Sequence, residues 1–242
     1  MINPLIQKLE SYGALSDEEK AFLKRAPSEI RDYRVHEEFV REGDCPGESC
    51  VVVEGLAFRF KILPDGKRQI LAFHVPGDFC DLHSFLLKRM DHGIAVAGRC
   101  KIAAVPHPLI QEITETYPRL TRALMWDVAI DGAIFREWMV GMGRRQAYQR
   151  MAHLFCELLT RLKVVGLAEN DTYELIATQT DLGDALGLST VHVNRVLQQL
   201  RAEGLIVSDG KTLMIPDFEK LKEVAGFDPA YLHARGGASP SS

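Results

Sequence analysis

Thr190, Val191, His192, Asn194, Arg195, Gln198 and Arg201 interleave with Val193, Val196, Leu197 and Leu200. On a helix that interleaving turns the apolar set inward and presents the others as one outward face. Such a face has the chemistry to read a major groove. An arginine bonds guanine O6 and N7 as a fork, an asparagine contacts adenine or phosphate, and threonine or valine methyls rest on the thymine methyl. Arg195 is the first choice for base readout.

A second helix must brace the first. Thr178 and Asp181 have the spacing that satisfies free amides at a helix start, Gly187 supplies a turn after Leu186, and Ser189 caps the next helix across a three-residue gap. Leu182, Ala185, Leu186 and Leu188 join the inward set and hold the two helices at a steep angle, which is helix-turn-helix spacing. Two short β runs follow, Leu205–Val207 and Thr212–Ile215, about Asp209-Gly210. They predict a hairpin wing, with Lys211 placed to contact phosphate. A packing unit with Arg195 as a mere solvated charge would require both caps, the turn, the outward face and the wing to coincide by chance. Arg144, Arg145, Arg150, Arg161 and Lys163 add positive charge on or beside the preceding helix, enough for phosphate contact.

Upstream of these helices the pattern changes twice. Ser16 and Glu19 have capping-box spacing ahead of a short helix through Arg25. From about Arg31 to Val105, short apolar or alternating runs such as Cys50–Val53 and Gln69–Phe73 are punctuated by Glu42-Gly43-Asp44, Glu54-Gly55, Pro64–Lys67 and Pro76-Gly77-Asp78. Regular strands and turns predict a small β barrel or roll, with a tight hairpin at Asp65-Gly66. After Pro118 the period becomes helical. Met125, Val128, Gly132, Phe135, Met139 and Met142 form a heptad seam, while Ile130, Ile134 and Trp138 lie on another face. Core packing alone would account for one stripe, whereas two apolar faces predict a homodimer. Gly143-Arg144-Arg145 interrupts the pattern before a helix from about Gln146 to Lys163.

Composition bounds the function classes. The 242 residues are 46% hydrophobic and 26% charged, with no run long enough to span a bilayer and no basic-then-apolar leader, so the expectation is a cytoplasmic protein away from membranes. The net charge of −4 decides nothing about nucleic acid, because phosphate binding depends on where basic residues cluster. Five scattered cysteines without a C-x-x-C pair read as free thiols, Cys156 as a core residue. Nucleophile–base pairs, paired carboxylates and phosphate loops are missing at mechanistic spacing, and Gly141-Met142-Gly143 is too short for a dinucleotide fingerprint, so an enzyme is not expected. A small-molecule-binding β-roll whose helix-turn-helix serves protein contact is the rival class, and nonspecific, salt-insensitive DNA binding would favour it.

In order and in motif the chain resembles the Crp/Fnr superfamily of bacterial transcription regulators. Glu42-Gly43-Asp44, Gly55, Pro64–Lys67 and Pro76-Gly77-Asp78-Phe79 are similar to its glycine-punctuated β-roll, Leu120–Met142 to its dimer helix, and Thr178–Ile215 to its winged helix-turn-helix. The resemblance implies an α+β fold: an N-terminal double-stranded β-helix or β-roll sensor (1–117), a long dimerisation helix (118–143), a C-terminal winged helix-turn-helix (144–225), and a partly disordered tail (226–242) whose last residues, Gly236–Ser242, are too polar to pack. It implies a homodimer on two-fold related sites in double-stranded DNA, with RNA polymerase as a candidate partner. Thr178, Ser189, Thr190, Val191, His192, Asn194, Arg195, Gln198, Arg201 and Lys211 are the expected DNA-binding residues. Arg195 falls where the family's guanine-reading arginine lies, and Val191 replaces the glutamate many members set against cytosine.

The sensor departs from the cyclic-nucleotide members. Asp81-Leu82 and about Asp91-His92 stand where those members carry Gly-Glu and a phosphate-holding Arg-Ser or Arg-Thr. A carboxylate repels a phosphate, so cyclic AMP or cyclic GMP is not expected, Lys88 or Arg89 being the groups that would compensate. Asp81, Leu82, His83, Arg89 and His92 are the expected effector pocket, its ligand left open. No cysteine precedes Cys45, which argues against the N-terminal iron–sulfur cluster of some members. Cys80, Asp81, His83 and His92 prompt a metal or haem reading, but their spacing matches no standard ligand pattern, and no metal is expected.

Overall fold

The computed structural model describes residues 3–233. Two helices open the chain, α1 (Asn3–Tyr12) and α2 (Asp17–Arg25). The predicted capping box starts α2: Ser16 Oγ accepts the Glu19 N–H at 3.2 Å and the Glu19 carboxylate accepts the Ser16 N–H at 2.7 Å. Helix α1, absent from the expectations above, buries Leu5, Ile6 and Leu9 beneath the sheets that follow.

Those sheets are antiparallel. One has the order β1 (Glu29–Tyr33), β7 (Cys100–Pro106), β3 (Glu48–Glu54), and the other β2 (Glu38–Val40), β6 (Gly93–Val96), β4 (Ala57–Ile62), β5 (Arg68–His74). A short helix, α3 (Ser84–Leu87), lies between β5 and β6. Val40, Cys50, Val52, Ala57, Ile94, Val96 and Ile102 fill the space between the sheets. The β4–β5 hairpin turns where Asp65-Gly66 predicts it, with Ile62 opposite Arg68 and Gly66 at a φ of +81°.

Three helices follow, α4 (His107–Thr116), α5 (Pro118–Arg144) and α6 (Ala147–Val164). The 27 residues of α5 span about 40 Å. Its two faces separate as the periodicity predicts. Leu120, Leu124, Ile130 and Ile134 are buried, and Met125, Val128, Phe135 and Met139 face outward.

The chain ends in β8 (Thr172–Glu174), α7 (Gln179–Leu186), α8 (Thr190–Ala202), β9 (Val207–Asp209), β10 (Thr212–Met214), α9 (Phe218–Ala225) and a 3₁₀ turn, Pro229–Leu232. The predicted wing gains a third strand, in the order β8-β10-β9. One apolar cluster runs from Phe58 and Phe73 of the sheets through Phe155 and Leu158 of α6 to Leu182 and Val193. Within the stretch expected as a tail from 226 onward, Phe227 and Leu232 are each 4% exposed and belong to that cluster. Gly236–Ser242 lie outside the described residues.

Candidate nucleic-acid interface

Both helix starts are fixed by the side chains the spacing picks out. Thr178 Oγ1 accepts the Asp181 N–H at 3.1 Å, and the Asp181 carboxylate accepts the Thr178 N–H at 3.0 Å and its hydroxyl at 2.7 Å. Ser189 Oγ accepts the His192 N–H at 3.2 Å. Between them Gly187 adopts a φ of +64°, where any other L-residue is strained, and a Cβ there would come within 2.8 Å of the Met142 methyl. Met142 thus packs on the helix-turn-helix of its own chain as well as ending the α5 seam. Leu182, Ala185, Leu186, Val193, Val196, Leu197 and Leu200 are buried and Leu188 half-buried, so the two helices brace each other as predicted.

With that set inside, α8 presents the expected face. Thr190, Val191, Arg195, Gln198 and Arg201 are exposed, Val191 at 80%, and His192 and Asn194 are half-buried. Asn194 Nδ2 reaches Gln179 Oε1 at 3.5 Å, tying the two helices along the same surface. Arg201 Nε donates to Ser208 Oγ at 2.8 Å, which fixes the end of α8 to the wing. Lys211 is exposed at the wing tip, 3.8 Å from the Glu174 carboxylate. The exposed Gln179 and Thr180 at the start of α7 extend the surface beyond the residues predicted for it. Their signal was available, since they follow the Thr178 cap on the helix end that faces away from the core.

The charges expected around this surface are corrected. Arg161 is interior, donating to Asp78 at 2.5 Å, Glu157 at 3.1 Å and the Phe73 carbonyl at 2.8 Å. Arg145 is paired with Glu137, and Lys163 with Asp171. Arg150 is half-buried and leans toward the Met142 carbonyl at 3.4 Å. Arg144 and Lys163 are the exposed members of the five, Lys163 with its ammonium on Asp171.

On the β-roll, the five residues expected to line an effector pocket do not converge. Asp81 turns inward and accepts the Cys50 N–H at 2.6 Å, and its burial pushes the carboxyl up to about 7. Leu82 packs against the apolar cluster that includes Leu5 and Val51, and Arg89 is exposed. Cys80 is fully buried, its thiol pushed well up by burial. Only His83 and His92 meet, with ring centroids 5.2 Å apart. Beside them Arg59 links β4 to α5, donating to Asp131 at 3.0 Å and to the Cys80 carbonyl at 2.9 Å.

Known proteins agree with this geometry from both ends of the chain. Residues 149–224 match the Crp-like helix-turn-helix domain and residues 30–117 the cyclic nucleotide-binding domain. The nitrogen fixation regulation protein FixK of Bradyrhizobium diazoefficiens is 30% identical over 205 residues, covering 78% of this chain and 83% of that one. The transcriptional activator protein Anr of Pseudomonas aeruginosa is 26% identical over 186 residues, 77% of this chain and 76% of that one. The structure of FixK2 from Bradyrhizobium japonicum superposes with a TM-score of 0.73 at 26% identity, covering 81% of this chain and 96% of that one. Among the described residues no helix is long and apolar enough to cross a membrane. With its β-roll, long connecting helix and winged helix-turn-helix in one order, the chain belongs to the Crp/Fnr family of transcription regulators.

Proposed function

We propose that the chain works in the cytoplasm as a homodimer on an inverted-repeat operator, one α8 in each of two successive major grooves. The observation that carries this reading is the face of α8. Val191 and Arg195 stand clear in solvent while Val193, Val196 and Leu197 beside them are buried, so the helix offers base-reading groups on a rigid support. Arg195 takes guanine O6 and N7, and Val191 rests on a thymine methyl. Thr178, Ser189, Thr190, His192, Asn194, Gln198 and Arg201 border those two, and Lys211 reaches phosphate from the wing. RNA polymerase is the partner through which such a dimer acts.

Pairing is assigned to α5. Met125, Val128, Phe135 and Met139 are 67, 48, 45 and 63% exposed, a stripe of side chains that a second copy would take out of water. The division of labour follows: residues 1–117 sense, 118–143 pair, and 144–225 bind DNA. Cyclic AMP is not the signal in this reading. The buried Asp81 and the exposed Asp91 offer carboxylates where a phosphate needs donors, and Arg89 stays at the surface.

Selection of duplex DNA from a randomised pool by the ligand-free protein, at near-physiological salt, tests the reading. An enriched inverted repeat, lost in Arg195→Ala, is the expected result. Enrichment of a single unpaired half-site, or of nothing with and without cell extract, would overturn it.

A further inference from the structure

Away from the DNA-facing surface, the fold gathers three metal-ligating side chains at one edge of the β-roll. His83 immediately precedes α3, and Asp91 and His92 lead into β6. One potential ligand atom from each lies within 4.8 Å of the others. His92 is 5% exposed and its Nδ1 sits 2.7 Å from Asp91 Oδ1, so the carboxylate holds the proton on Nδ1 and leaves the Nε2 lone pair free. That Nε2 and the Nε2 of His83 are both buried without a hydrogen-bond partner among the described residues. An unsatisfied buried polar atom costs about 1–3 kcal/mol, so two on facing rings call for a shared occupant.

We propose that His83, Asp91 and His92 hold a divalent first-row transition ion, with the two imidazole Nε2 atoms as ligands and the Asp91 carboxylate supplying compensating charge. Imidazole and carboxylate without thiolate suit zinc or cobalt(II), whereas magnesium and calcium require oxygen shells. Ligands around such an ion stand roughly 3.3 Å apart when each bond is about 2.05 Å, and the ligand atoms of the three groups already lie within 4.8 Å of one another. Both rings bind in the neutral form. Arg59 opposes a second cation, but Asp131 already pairs with it at 3.0 Å. Water completes the shell on the open side, where the Asp91 side chain is 80% exposed.

The full-length protein, stripped with chelator, would be titrated with zinc by calorimetry and with cobalt(II) by absorption. One ion per chain is expected, with cobalt d–d bands and no thiolate charge-transfer band. Asp91→Asn, an exposed change that leaves the fold in place, should weaken zinc roughly 10- to 100-fold. His83→Gln and His92→Gln should abolish binding while thermal melts remain cooperative, and if either fails to fold, Asp91→Asn decides alone. No zinc heat and no cobalt spectrum from the wild type would overturn the proposal. So would unchanged affinity in folded Asp91→Asn, or a cobalt–thiolate band, which would place the ion on a cysteine.

Discussion

Arg68 on the β-roll hairpin donates through Nη2 to Asp181 Oδ1 at 2.7 Å, and Asp181 is the residue that caps the first helix of the helix-turn-helix. The same guanidinium bonds Asp184 through Nε at 2.8 Å and lies over the Phe58 ring at 4.8 Å. His36 Nε2 approaches Asp181 from the other side at 3.3 Å. The β-roll thus grips α7 at its N-terminus, where a change in the roll would be felt by α8, which α7 braces.

Arg68→Ala should therefore loosen α7 without unfolding the roll. Asp181 keeps its bonds from Thr178, so the loss is that of charged hydrogen bonds, about 2 kcal/mol. Urea unfolding should report that loss, and amide exchange should quicken across Gln179–Leu186 while β3 and β7 stay protected. Unchanged exchange in α7 would show that Arg68 does not hold it.

Asp81 sets a pH dependence. Burial pushes its carboxyl up to about 7, against the opposing Cys50 N–H bond and the Arg59 charge, with Glu48 adding to the rise. Its Oδ2 is buried with no partner among the described residues, as suits a protonated acid. Between the ordinary carboxylate value near 4 and about 7, the folded chain keeps a proton the unfolded chain has released, so this group's contribution to stability falls as pH rises and the cost is complete above that window. Asp81→Asn removes that dependence. Its stability relative to wild type should improve by on the order of 3 kcal/mol between pH 5 and pH 8, read by urea unfolding at each pH, where titrations common to both proteins cancel. A difference that does not change with pH would show that Asp81 is ionised throughout.

The α5 seam makes a separable prediction. Met139→Glu places a charge on a residue that is 63% exposed in the single chain, so the protomer tolerates it. In a packed dimer the charge is buried without a partner, and a penalty of about 3 kcal/mol weakens association roughly 100-fold. Sedimentation should show monomer where the wild type is dimer, with the protomer's melting point nearly unchanged. Equal dimerisation would move the interface elsewhere.

The elements carrying local signals were readable from sequence: the caps at Ser16, Thr178 and Ser189, the Asp65-Gly66 hairpin, and the two faces of α5, whose residues recur at helical spacing. What failed was set by long-range contact. Arg161 looks like a surface charge on a basic helix, and only the fold brings Asp78, 83 residues earlier, to 2.5 Å from it. Asp81 and Arg89 sit near His83 in sequence, yet one faces the Cys50 amide and the other solvent, while Asp91 completes the histidine cluster. β8 is three residues long and gains its register from β10, so its own residues carry no pattern. α1 is a different case, since Leu5, Ile6 and Leu9 have helical spacing that the polar residues around them obscure.

Arginines at two places should fail in different ways. With Arg195 in the proposed base-reading role, Arg195→Ala should cost about 1–3 kcal/mol on the preferred sequence and relax choice at one position per half-site. Arg144 is exposed beyond the base-reading helix, so Arg144→Ala should weaken all sequences alike and reduce the slope of log affinity against log salt by about 0.9 for each phosphate it no longer neutralises. Binding curves on cognate and scrambled duplexes over a salt series separate the two. Identical behaviour of both variants would remove Arg195 from base readout.

Val191 is the position from which operator preference should be most easily moved. At 80% exposed it supports no packing, so Val191→Glu leaves α8 intact and changes only what the groove meets. Valine offers methyl groups to thymine and no acceptor, whereas a glutamate accepts the N4 hydrogen bond of cytosine. The selected consensus should shift from thymine to cytosine at one base pair in each half-site, symmetrically, with a discrimination of about 1–3 kcal/mol. Affinity for every sequence should also fall slightly, because the added charge faces phosphate. A consensus that stays the same would mean that Val191 does not enter the groove and that α8 docks in another orientation.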